Sequence, residues 1–197
     1  MEKWPESLQP SSLDWHLQFN TKSFKSPFNN SERTHGFPGA HWQGTLTFRN
    51  LVEEQADNLK SFLWSLQGAN GRFLLWDMSR PGRPEFGEPV VAQANQKGGL
   101  LQTAGWVPNQ LVLARGHYFS VNNELKCAME DIWSSEAGVA ILKFEPWLRK
   151  SPALGDKVTT DYPCGMFKLK DDNQGKLAMR PGIFSNTKIE VVEAFYV

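Results

Sequence analysis

The sequence predicts a mainly β protein, β-rich α+β with one helix, and three observations carry that reading. Apolar residues alternate with polar ones in several short runs, the period of a half-buried strand. Only one stretch shows helical spacing. Turn signals recur at short intervals from Pro89 to about Pro163, giving five or six short strands and no convincing helix, the spacing of a small barrel or sandwich.

Residues 1–40 are polar, with Pro, Ser and scattered aromatics. Leu13, Trp15 and Leu17 alternate, so a strand is expected over Asp14–Thr21, and Asn29–Gly39 reads as a loop. Trp42, Leu46 and Phe48 then share one face, with Thr45, Thr47 and Arg49 on the other. A helix over 51–67 follows. Asn50 is the expected N-cap, with Glu53 completing a capping box. Val52, Ala56, Leu59, Phe62, Leu63 and Leu66 form the stripe that packs on a sheet, and Gly68 stops the helix. Phe73–Trp76 reads as a strand and Ser79–Pro89 as a loop.

The stretch Arg115–Arg149 is the clearest in the chain. Phe119 and Val121 point one way, Tyr118 and Ser120 the other. Asn122-Asn123 supplies a tight hairpin, because Asn tolerates left-handed backbone. Leu125, Cys127, Met129, Asp131 and Trp133 fall on one side of a second strand, with Asp131 the misfit. A turn at Ser134–Gly138 leads into a third strand, Val139–Phe144, which Pro146 is expected to end. Later strands are expected at Met166–Leu169, from Lys176, and over Lys188–Val197. A frame of so few strands needs more partners, so the last strand is expected to rejoin the first sheet. The domains are then 1–88 plus 165–197, discontinuous, with a barrel at 89–164 inserted.

Composition narrows the function. The 197 residues hold 21 Lys+Arg and 21 Asp+Glu, so no global field favours nucleic acid or an anionic membrane. Eight Trp and 13 Phe suit β packing and protein interfaces. Cys127 and Cys164 are too few for a disulfide framework and are expected to be reduced and structural. The opening residues carry no apolar signal segment and no run reaches membrane-span length, so folding in a cytoplasm is expected.

No catalytic constellation stands out. His16, His35, His41 and His117 lack zinc-ligand spacing, no G-x-S-x-G elbow occurs, and Lys97-Gly98-Gly99 does not open a helix. Glu53-Glu54 suits a helix N-terminus, and Asp171-Asp172 a solvated turn. The expectation is therefore no enzyme, with no catalytic, cofactor-binding or metal residues. Tyr118, Phe119, Trp133 and Trp147 are candidates for an exposed aromatic platform on an OB-type barrel, the rival reading being barrel core.

The order helix, SLQGANGRFLLWD, Pro/Gly loop, QKGG, GW-P-N and RGHYFSVNNELKCAMEDIWSSEAGVAILKFEPWLR resembles the distal tail proteins of long-tailed bacteriophages, over roughly residues 42–170. His117 stands where that pattern usually has Asp. The resemblance implies a split-barrel or sandwich domain with one helix carrying an OB-like barrel. It also implies a ring, commonly a hexamer, between tail tube protein and the baseplate hub protein at the tail tip, with a lumen for DNA. The location implied is the virion, after synthesis in the host cytoplasm, with no membrane and no sequence-specific nucleic acid as partner. The aromatic excess leaves a carbohydrate-binding module of the tail tip as an alternative, and a single-stranded nucleic-acid binder as another. A peptidoglycan hydrolase is the weakest alternative, for want of a cluster of ionisable residues.

Overall fold

Leu13, Trp15 and Leu17 lie opposite Leu46, Gly44 and Trp42 in an antiparallel pair, so two alternating apolar rows meet on one face. The computed structural model describes residues 2–80, 86–176, 178–180 and 183–195. Its first elements are β1 (Glu2–Lys3), β2 (Ser12–Lys25), β3 (Glu32–Leu51), α1 (Glu53–Ser65), a 3-10 turn (Gly68–Asn70) and β4 (Phe73–Leu75). The middle of the chain holds β5 (Gly87–Val91), β6 (Gly98–Trp106), β7 (Leu111–Leu113), β8 (Tyr118–Val121), β9 (Glu124–Ala128), β10 (Ile132–Trp133), β11 (Val139–Leu148) and β12 (Val158–Thr159). The chain then forms β13 (Gly165–Leu169), β14 (Ala178–Arg180) and β15 (Ile183–Glu193).

The fold is mainly β. One sheet runs β1-β4-β13-β15-β3-β2, with β14 attached to β15. A six-stranded sheet runs β12-β8-β9-β11-β6-β5. It nearly closes into a barrel, because Val90 bridges Lys157 and the Val91 amide donates to the Asp156 carbonyl. β13 and β15 follow the barrel strands in sequence, yet pair with β4 and β3, which precede them. The chain thus leaves the first sheet after β4 and returns to it with β13.

Two cores result, and the β8–β9 hairpin is the wall between them. Asn122 and Asn123 take φ of 52° and 62°, the left-handed pair a two-residue hairpin turn needs. Leu125 and Cys127 point into the first core, with Trp42 and the α1 stripe. Phe119, Val121 and Ala128 point into the barrel, with Leu142 and Phe144. Trp42 Nε1 donates to the Leu125 carbonyl at 2.9 Å, tying β3 to this wall.

Several expectations need correction. Helix α1 is shorter than 51–67 and is capped by Val52. Asn50 instead sits in β3 at φ 56°, and Gln55 Oε1 reaches back to the Val52 amide. Val52 is exposed, whereas Ala56, Leu59, Phe62, Leu63 and Leu66 are buried as the stripe predicted. β11 continues through Pro146 to Leu148. Its register against β6 shifts between Lys143 and Leu148, so the missing Pro N–H falls where the ladder is already irregular. The second meander strand stops at Ala128, and a bend separates it from β10. Asp131 is therefore outside the strand, accepting from the Arg115 amide at 2.8 Å, which removes the misfit. The first barrel strand begins at Gly87, two residues before the expected boundary. Asn29–Gly39 is mostly strand, with β3 starting at Glu32. The Ser79–Pro89 loop falls partly, and the end of the expected Lys188–Val197 strand also falls, outside the described residues.

Candidate functional site

β2 and β3 outgrow the sheet that holds them. Between Leu13 and Trp42 the pair is anchored in the first core, but residues 18–39 are exposed apart from Ser26. The register shifts between Gln18 and Asn20, then runs unbroken from Asn20 opposite Phe37 to Lys25 opposite Glu32. The result is a two-stranded arm standing off the molecule. Directly opposed residues share a face of the ribbon. Asn20, Lys22, Phe24, Arg33, His35 and Phe37 therefore form one face, and Thr21, Ser23, Lys25, Glu32, Thr34 and Gly36 the other.

The faces differ in chemistry. The first is aromatic and cationic, without a carboxylate. His35 meets Phe37 edge-on at 4.7 Å, and Lys22 Nζ lies 5.9 Å from the Phe37 ring. The second is small and polar, with Ser23 and Thr34 hydroxyls 3.0 Å apart. Phe28 at the tip is 96 % exposed and Phe24 is 60 % exposed. A lone two-stranded ribbon is marginal in water. Covering its rings would contribute roughly 1.5–3 kcal/mol for each Phe fully buried. Sequence reasoning missed the arm because neither face is buried, so no apolar alternation marks it.

An ionic junction joins the sheet to the barrel. Arg149, just past β11, donates Nη1 and Nη2 to the two oxygens of Glu193 at 2.5 and 2.6 Å. Glu193, 2 % exposed, also accepts from the Trp42 amide at 3.0 Å. Arg149 further donates to the Ala40 carbonyl and lies over the Phe195 ring. Beside it, Lys126 is wholly buried inside the barrel. Its ammonium meets Glu124 at 2.7 Å and the Trp147 carbonyl at 3.0 Å. Burial pushes the Lys126 pKa down, against the opposing pull of Glu124. Glu124 also accepts from the Arg149 and Lys150 amides. Both carboxylates are thus occupied by three donors each. A cleft of about 650 Å³ opens alongside, lined by Asn122, Asn123, Lys150 and Asp156 among others.

The four aromatic candidates separate. Trp133 and Trp147 are exposed on the outer barrel wall. Phe119 is fully buried against Phe144, at 5.3 Å between ring centres, so it is barrel core rather than platform. Tyr118 packs against Trp42 at the junction. Its pKa is pushed up to about 12 from 10, first by burial and then by Cys127 and Asp77. The folded state therefore holds that proton longer than the unfolded chain. Stability from this group is complete below pH 10 and falls as pH rises from 10 to 12. The Tyr118→Phe variant is expected to lose less stability than the wild type across that window, read from urea midpoints at each pH.

Cys127 and Cys164 are free thiols, and burial raises both pKa values. His117 Nδ1 accepts from the Ala114 amide at 3.1 Å, a turn role. Among the described residues, no three His, Cys, Asp or Glu converge as a metal site. No helix there is long and apolar enough to cross a membrane. Neither a scan against protein-family models nor a search of curated proteins finds a match to this chain.

Proposed function

We propose that this chain is a structural, non-enzymatic component of a bacteriophage tail tip. In this reading its copies form a ring, of about six, that joins the tail tube to the tip or baseplate hub and leaves a lumen for DNA. The observation that carries the reading is the arm at residues 18–39. It is a two-stranded ribbon on which Phe24 and Phe28 stay largely uncovered among the described residues, the condition expected of a segment completed by a neighbour. The sequence resemblance supplies the tail setting.

The test removes the arm and keeps its base. Replacing residues 20–37 by Asn-Gly is expected to leave a folded monomer with an unchanged unfolding midpoint, because the core ends at Trp42 and Leu17. Light scattering should show the wild-type chain assembling at high concentration or with tube protein, and the shortened chain failing to do so. A wild-type chain that stays monomeric in both settings would overturn the proposal.

A further inference from the structure

A closed ring uses two different patches on each subunit, because a head-to-tail contact never pairs a surface with itself. If the arm is one patch, the other must lie elsewhere on the same chain. It should be apolar and anionic, to match a face with Phe24 and Phe37 beside Lys22 and Arg33.

The outer wall of the barrel has such a place. A groove of about 450 Å³ runs between β10 and β11. β10 pairs with β7 in a sheet of its own, while β11 pairs with β6 over Val139–Lys143, so the two strands flank the groove without a ladder between them. Trp133 is 63 % exposed and Ile141 60 % exposed there, giving the groove an apolar surface. Glu130 and Asp131 stand at one end, and Glu136 is exposed on the turn that joins β10 to β11. Lys143 offsets one of these charges, through its contact with Glu130 at 3.3 Å. The groove's own lining thus carries two carboxylates against one ammonium, net anionic by one, and Glu136 on the adjoining turn adds a further negative charge near it. The arm face carries Lys22 and Arg33 with no acid, net cationic by two.

We infer that the groove between β10 and β11 receives the cationic, aromatic face of the arm of a second copy of this chain. This rests on the ring reading above and adds to it the receiving surface. Phe24 and Phe37 lie against Trp133 and Ile141, and Lys22 and Arg33 reach Glu130 and Glu136. Opposite fields of this kind set register and speed encounter.

Charge reversal tests the pairing. One variant carries Lys22→Glu with Arg33→Glu; the other carries Glu130→Lys with Glu136→Lys. Asp131 is left alone because it holds the Arg115 amide. All four positions are exposed, so circular dichroism is expected to report native folds. Each variant alone should associate more weakly than the wild type, on the order of tenfold or more. An equimolar mixture should recover assembly, because the anionic arm fits the cationic groove and the reverse holds for the partner. Light scattering reads all of these. If the groove variant assembles like the wild type while the arm variant does not, the arm docks elsewhere, and this inference falls with the ring reading intact. Failure of the mixture to recover also overturns it. A wild-type chain that never assembles removes the ring reading as well.

Discussion

Replacing Glu193 by Ala is expected to lower the unfolding free energy by about 3–5 kcal/mol, the usual cost of breaking one partner out of a buried pair. Three donors lose their acceptor at once. The Arg149 guanidinium keeps its charge in a site that is 11 % exposed, held there by the Ala40 carbonyl and the Phe195 ring and with the Lys126 ammonium nearby. The Trp42 amide is left without its acceptor at the base of the arm. Urea denaturation followed by Trp fluorescence measures the loss. Removing both charges together separates the pair from its desolvation. Glu193→Leu with Arg149→Met should cost clearly less than Glu193→Ala alone, because apolar replacements of a buried pair are often tolerated. If the double change costs as much as the two single changes added, the pair does not act as a unit.

The second large effect is expected from Trp4→Ala, again about 3–5 kcal/mol. Trp4 comes from the polar-looking first segment but is 1 % exposed. It stacks on Phe48 at 6.1 Å and meets Phe62 edge-on at 5.0 Å and Phe73 at 5.7 Å. Its Nε1 donates to the Leu8 carbonyl at 2.9 Å, closing the turn that carries the chain into β2. Ala removes the ring shared by β1, α1, β3 and β4 and leaves that carbonyl unpaired. Thermal unfolding should shift by roughly 2–4 °C per kcal/mol for a chain of this size. A loss under about 1 kcal/mol would mean the core refills the space by moving α1.

Where burial contrast existed, the sequence was legible. Phe119 and Val121 against Tyr118 and Ser120 marked the two sides of a strand: the first pair is barrel core, and Tyr118 packs half-buried against the other core. Asn122-Asn123 marked the turn because its backbone demand is local. The α1 stripe gave the helix, though its first turn was misplaced since Asn50 serves β3. What stayed hidden lacked such contrast. The arm is wet on both faces, so its strands carry no period. Lys126 reads as a solvent residue: Glu124 shares its face of β9, but only the fold buries the pair and brings the Trp147 carbonyl to it. Arg149 and Glu193 are 44 positions apart, and nothing local in either announces the pair.

The return of β15 to the first sheet has a consequence for synthesis. β15 lies between β13 and β3, pairing Val192 with Gln43 and Ile189 with Leu46. While the ribosome is still making the middle of the chain, the inner edge of β3 has no strand beside it, and its backbone donors and acceptors stand open. The barrel can close from contacts nearer in sequence, but the arm-bearing sheet waits until β15 has been made. A nascent chain stalled before residue 183 should therefore hold a protected barrel next to a sheet that proteases still cut.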